Sequence, residues 1–136
     1  MSDRAFVDTN VLLYLVSSDE RKAHRAEQIL EGSPLISVQV LNEIANVARR
    51  KMRLTWEETH RLLSLIKSIC PQTPLTVEIH EKGLAISERH NLSVYDSMIL
   101  ASAQLALCSV VYSEDMQDGM TIGKTLRIVD PFRPEP

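Results

Sequence analysis

Four carboxylates stand where the sequence gives them little use as solvating groups. Asp8 interrupts the apolar stretch "AFVDTNVLLYLV". Glu43 falls between Val40 and Val47 in "VQVLNEIANVARRKM", and Asp96 shares "SVYDSMILASAQLALC" with Ile99, Leu100 and Ala103. Asp115 follows "SVVYS", the most strand-like segment of the chain. A carboxylate in low dielectric is costly unless it is paired or bound to a cation. Each of these residues therefore needs a partner or uses its charge. Carboxylates without nitrogen or sulfur ligands suit hard cations, Mg²⁺ or Mn²⁺, which keep several waters and bind through few side chains.

Every one of these acids also has a structural explanation. Asp8 can cap the helix that follows it, and Ser93 and Asp96 have capping-box spacing. Glu43 can be a boundary residue with its head in water. Asp115 and Asp118 can be turn formers in "SEDMQDG". What weighs against four separate accounts is the place to which the elements bring them.

Hydrophobic patterning predicts strands over residues 6–9, 34–37, 75–77, 109–113 and 126–129. Between them lie helical segments. The first continues over 11–16; the second follows Asp19 and stops at Gly32. "VQVLNEIANVARRKM" buries Val40, Ile44, Val47 and Ala48 on one face, and "TWEETHRLLSLIKSIC" opens with the capping box Thr55 and Glu58. "EIHEKGLAISERHN" and "SVYDSMILASAQLALC" complete the set. Strands alternating with helices imply right-handed crossovers and a mainly parallel central sheet with helices on both faces, a three-layer α/β/α fold. Ligands of such sheets bind outside the carboxyl ends of the strands. Asp8 and Asp115 lie at such ends, and all four acids are expected at that edge.

The 136 residues are expected to form one domain, 1–136. Cys70 and Cys108 lack CxxC spacing and read as buried thiols in a reducing cytosol; His24, His60, His80 and His90 are scattered singly. "MSDRAF" lacks a targeting pattern and no apolar run approaches the ~20 residues of a membrane span, so a soluble cytoplasmic protein without membrane contact is expected. A net charge of −3 does not support a partner held by global positive charge, although a cation on a carboxylate cluster reverses the local sign. The one dense basic run, Arg49, Arg50, Lys51 and Arg53, suits phosphate contacts and equally the C-terminus of a helix. With aromatics at 4%, base stacking is not expected to dominate any nucleic-acid recognition. "LLSLI" is apolar enough for an interface or for the core.

Four pieces, "FVDTNVLLYL", the glutamate of "VQVLNEIANVARR", "LSVYDSMILASA" and "VYSEDMQDG", occur in an order and at separations that resemble the PIN (PilT N-terminal) domain, most of all the VapC-type toxins of bacterial toxin–antitoxin pairs. The resemblance covers nearly the whole chain. It implies a PIN-like α/β/α fold and a Mg²⁺- or Mn²⁺-dependent endoribonuclease hydrolysing RNA phosphodiester bonds. Its acids would be Asp8, Glu43, Asp96 and Asp115, with Asn10 and Ser113 as polar helpers. Many members have threonine where Ser113 stands. Asp118 matches an acidic position that varies in the family. The resemblance further implies an RNA substrate, a homodimer and a cognate antitoxin whose segment covers the acidic site. Two other readings stay open. One is a PIN-fold module that binds RNA or protein without cleaving. The other is a receiver-like Mg²⁺-dependent signalling domain, for which Lys124 is the only lysine available in the last third of the chain.

Overall fold

In the computed structural model, which describes residues 4–134, apolar strands alternate with capped helices along the chain. The stretch read above for a targeting pattern begins outside the described residues. The element that sets the frame is β1 (Ala5–Val7), followed at once by the short helix α1 (Thr9–Leu13) and a single 3₁₀ turn, Tyr14–Val16. Then come α2 (Glu20–Glu31), β2 (Ile36–Ser37), α3 (Val38–Arg50), α4 (Trp56–Ile69) and β3 (Gln72–Thr73). The chain continues through α5 (Val77–His90), α6 (Val94–Leu105), β4 (Val110–Tyr112), β5 (Thr121–Ile122) and β6 (Leu126–Val129).

The central sheet has the order β1-β4-β6-β5, parallel except for β5, which runs antiparallel to β6. Parallel pairing of β1 with β4 sets Phe6 opposite Val111 and Val7 opposite Tyr112. A further ladder bond from the Asp8 N–H to the Tyr112 carbonyl, 2.9 Å, carries the register one residue past the strand. Asp8 and Ser113 thus leave the sheet side by side. On the other flank of β1, Val7 N donates to Leu35 O and Leu35 N to Ala5 O, which ties the β2–β3 pair to the main sheet and delivers the chain into α3 at the same edge.

Burial explains why α6 is central. Every residue from Ser97 to Ala103 is buried, as expected of a helix apolar on all sides and covered on all sides. Phe6, Val111 and Ile128 fill the sheet side of this core, and Val40, Ile44 and Ala48 contribute the apolar stripe of α3. Helix starts follow their side chains: Asp19 accepts from Lys22 N, Thr55 and Glu58 form both bonds of a capping box, and Ser93 accepts from Asp96 N at 3.1 Å. Asn91 ends α5 in the left-handed region, φ 56°, which asparagine tolerates.

The fold class agrees with the sequence reading, while several boundaries move. The expected strand 6–9 ends at Val7, because Asp8 caps α1 and Thr9 is already helical. No strand forms over 75–77: Leu75 and Val77 are 47% and 72% exposed and Val77 opens α5 behind the Thr76 cap. The pairing falls instead to the polar Gln72 and Thr73, since the backbone there can reach β2. Strand β5, too short for a pattern, was not foreseen. Within "LLSLI", Leu62 and Ile66 are core residues and Leu65 is half exposed. Both cysteines are buried and free, and burial raises each thiol to about 11. Among the described residues no helix is long and apolar enough to cross a membrane.

Helix α5 is held against α6 by a close approach at Gly83. A Cβ there would lie 2.5 Å from Met98 Sδ and 3.3 Å from Met98 Cα. Alanine elsewhere in a helix gains about 0.5–1 kcal/mol over glycine. Here overpacking, about 1–3 kcal/mol, reverses the sign. Gly83→Ala is expected to unfold at lower urea concentration than the parent, and a midpoint that rises would show that Met98 yields without cost.

Candidate active site

Asp8 is placed by the end of β1 and is only 3% exposed. Its Oδ1 accepts from Thr9 N at 2.7 Å; its Oδ2 accepts from Ser113 Oγ at 2.9 Å and Asn10 Nδ2 at 3.0 Å. These partners are all neutral. Burial pushes the carboxyl from its ordinary 3.8 up to about 7, Ser113 and Thr9 pull it down, and the nearby Glu43 and Asp96 add to the rise. The structural explanation for Asp8 is therefore real but partial. One oxygen caps α1, and the other is held by side chains that fix its direction without neutralising it.

The other acids arrive from α3, α6 and the loop after β4. Glu43 Oε1 accepts from Thr9 Oγ1 at 2.8 Å; its carboxyl is raised by burial and then by Asp96, against hydrogen bonds from Thr9 and Gln39. Asp96, in the first turn of α6, is likewise raised by burial and by Asp115, against its bond with Ser93. Asp115 is exposed at the rim. All four line one cleft of about 390 Å³, together with Thr9, Asn10, Asn46 and Lys51. A neighbouring cleft of about 590 Å³ shares Asn10, Leu13, Val47 and Asp115 with it and continues along Tyr14, Ser17 and Glu114.

Asn10 and Ser113 act as braces. Ser113 Oγ accepts from Met116 N at 3.3 Å while donating to Asp8, and Asn10 Oδ1 accepts from Glu114 N at 3.0 Å. Asp118 does not join the cleft: its Oδ1 accepts from Asp130 N at 2.8 Å and its other oxygen lies 3.9 Å from Arg133. Of the basic run, Lys51 reaches the cleft. Arg49 is engaged elsewhere, donating to Leu54 O at 2.7 Å and stacking over Trp56. Arg50 and Arg53 are exposed. Lys124 lies on the turn after β5, lining a different cavity.

Sequence reasoning passed over Thr9, Gln39, Asn46 and Glu114. Thr9 and Gln39 had a visible signal, the first inside the "DTN" motif and the second one helical turn before Glu43. Glu114 is gripped by Lys22 and by the Tyr14 hydroxyl at 2.5 Å, a trio assembled by tertiary structure alone.

The donor chemistry fits a hard divalent cation, being all oxygen and centred on a buried carboxylate without a cationic partner. Among the described residues no three acids, histidines or cysteines stand close enough to clasp an ion together.

The sequence profile of the PIN domain matches residues 5–117. No curated protein matches the chain. Among solved structures, the chain is similar to a toxin–antitoxin complex from Klebsiella pneumoniae, with 24% identity over 96% of this chain and 99% of that one and a TM-score of 0.73. It is also similar to VapC20 of Mycobacterium tuberculosis, a toxin that cleaves the sarcin–ricin loop, with 19% identity over 82% and 89% and a TM-score of 0.67. VapBC2 of Rickettsia felis, bound to a fragment of its promoter DNA, gives 16% identity over 93% and 98% and a TM-score of 0.66. At these identities the likeness is one of fold.

The raised Asp8 carboxyl has a consequence for stability. Between about 3.8 and 7 the folded chain holds at Asp8 a proton that the unfolded chain has released, so the contribution of Asp8 to stability is most favourable at low pH and falls as the pH rises through this window. In metal-free buffer, the stability of Asp8→Asn relative to the parent is expected to improve by about 1–4 kcal/mol between pH 4 and pH 8. Urea melts across that range measure it, and a difference independent of pH would remove the buried-carboxylate assignment.

Proposed function

The chain belongs to the PIN domain family, and from that premise we propose that it is a Mg²⁺- or Mn²⁺-dependent endoribonuclease, the toxin of a type II toxin–antitoxin pair acting in the cytoplasm. The observation that carries this reading is the convergence of Asp8, Glu43, Asp96 and Asp115, from four separate segments, on one cleft. An acid cluster in a cleft is destabilising by itself and finds its use with a cation. The fold shared with toxins solved in complex with antitoxins, and with one that cleaves the sarcin–ricin loop, supports RNA as substrate and a protein antitoxin as partner. A homodimer belongs to the same reading.

Asp8 and Asp96 would hold the cation directly, with Glu43 and Asp115 acting through waters. When bound, the ion supplies polarisation of the scissile phosphate, a lowered pKa for the attacking water and neutralisation of charge on the leaving oxygen. Glu43, half-buried and with its carboxyl raised, would be the acid that orients that water and takes its proton. Thr9 fixes the Glu43 carboxylate, while Asn10 and Ser113 keep Asp8 aimed. Lys51 at the rim and Arg50 beside it would meet the phosphates of the strand. Asp118, committed to Asp130 and Arg133, has at most a loop-holding role. The receiver-like alternative needs a lysine at a strand end beside the acids; Lys124 lies elsewhere, and Lys51, which lines the cleft, comes from the end of α3.

The test is incubation of the purified chain, free of antitoxin, with a mixed RNA pool. Cleavage is expected with Mg²⁺ or Mn²⁺ and none with EDTA. Asp8→Asn and Asp96→Asn should each lose it, because an amide is a poor ligand for a hard divalent cation. Parent-like cleavage by either variant removes that residue's metal role, and RNA binding without cleavage by the parent favours the non-cleaving module.

The rim cations give a separate expectation. Replacing Arg50 and Lys51 with Ala should weaken RNA binding and reduce the log–log salt slope by about 0.7–0.9 for each lost contact, with metal binding unchanged. Arg49 is left intact because it packs on Trp56. An unaltered slope would assign the run to the helix terminus alone.

A further inference from the structure

A separate concavity, of about 540 Å³, lies between α5 and the turn joining β5 to β6. Gln104, in the last turn of α6, lines it, whereas Asp96 stands in the first turn, so the two sites are roughly 12 Å apart along that helix. Lys82, Arg89 and His90 enter from α5 and Lys124 from the turn, and no acidic residue lines the cavity. On a chain of net charge −3 that composition is local, not inherited.

Arg89 and His90 have an ordinary use at the C-terminus of α5, where positive charge complements the helix dipole. Lys82 and Lys124 do not share it. Lys82 sits in the middle of α5, on the same face as Arg89 two turns later, and Lys124 is carried by a different element. Among the described residues, none of these four side chains makes a hydrogen bond or ion pair. Like charges gathered around one space oppose one another unless an anion joins them.

The neutral parts of the cavity narrow the class of anion. Gly123 has φ +63°, and a Cβ on it would stand 2.8 Å from Gln104 Nε2, so the bare backbone of the turn lets the amide remain in the cavity as a further donor. Ile86 and Ile122, both buried, form an apolar floor. Unpartnered cationic donors around an apolar floor suit a molecule with a phosphate at one end and a flat, less polar body at the other. We propose that this cavity binds a nucleotide, its phosphate held by Lys82, Arg89 and Lys124 and its base against Ile86 and Ile122. Free nucleotides and the nucleotides of an RNA strand share that chemistry.

The proposal is independent of the acidic cleft, and its test excludes that cleft. Calorimetric titrations of the full chain in EDTA at low salt would use adenosine 5′-monophosphate, adenosine, and a short single-stranded oligoribonucleotide. Binding of the monophosphate but not adenosine is expected, weakening as salt is added. Lys82→Ala combined with Lys124→Ala, both on the surface and therefore tolerated by the fold, should weaken it by at least about tenfold. Asp96→Asn should leave it unchanged. Monophosphate binding that depends on the two lysines identifies a free-nucleotide site, and oligonucleotide binding alone with the same dependence identifies an RNA-strand site. Binding of neither probe, or binding that the double variant leaves intact, overturns the proposal, whatever the outcome of the cleavage assay.

Discussion

The hydrogen-bonded burial of one carboxylate, Asp8, is the constraint on which the site depends. Parallel pairing of β1 and β4 is what makes it possible, because only that register brings Ser113 out of the sheet beside Asp8. A full positive charge is near: Lys22 reaches Glu114, and Glu114 in turn holds Asn10 through its backbone N–H. Lys22 is thereby committed to a residue one step removed from Asp8. The Asp8 carboxylate receives three oriented neutral donors instead, so its direction is fixed while its charge, or its proton near pH 7, remains available.

Bringing further acids to such a group works against folding, and the rest of the domain has to offset it. Glu43 and Asp96 are each raised by burial and by another acid of the cleft, the signature of like charges sharing poorly solvated space. The elements that carry them are anchored in the core. α3 lays Val40, Ile44 and Ala48 into the core, and α6 is enclosed from Ser97 to Ala103 immediately after Asp96. A helix with its first turn in the site and the next two turns buried transmits the rigidity of the core to the carboxylate. Such placement on rigid elements suits a site whose groups repel one another before a ligand arrives.

Much of this was legible from residue order alone. Strand–helix alternation gave the sheet type, and caps such as Thr55 with Glu58 fell where their side chains required. Charges set into apolar faces pointed to the acids the structure gathers. What escaped detection depended on partners distant in sequence. Gln72 and Thr73 pair because β2 is within reach, while the more apolar Leu75 to Val77 segment has no strand to join. The Lys22–Tyr14–Glu114 trio and the basic cavity unite residues from separate elements, each unremarkable in its own segment. Asp118 shows the converse: its neighbours in sequence suggested the site, and its partners in space are Asp130 and Arg133.

The net charge of −3 excludes recognition by a global positive field, yet it says little about either cleft. At physiological salt, fields between exposed charges fade within about 8 Å, so each cleft responds mainly to the groups that line it. The acidic cleft carries Lys51 at its rim, and the cavity beyond the far end of α6 carries four basic residues and no acid. Opposite signs thus sit at the two ends of one buried helix, separated by more than a screening length. In the proposed reading a bound cation would convert the acidic end into a second place that attracts phosphate, and a chain acidic in sum would then offer nucleic acid two locally positive surfaces.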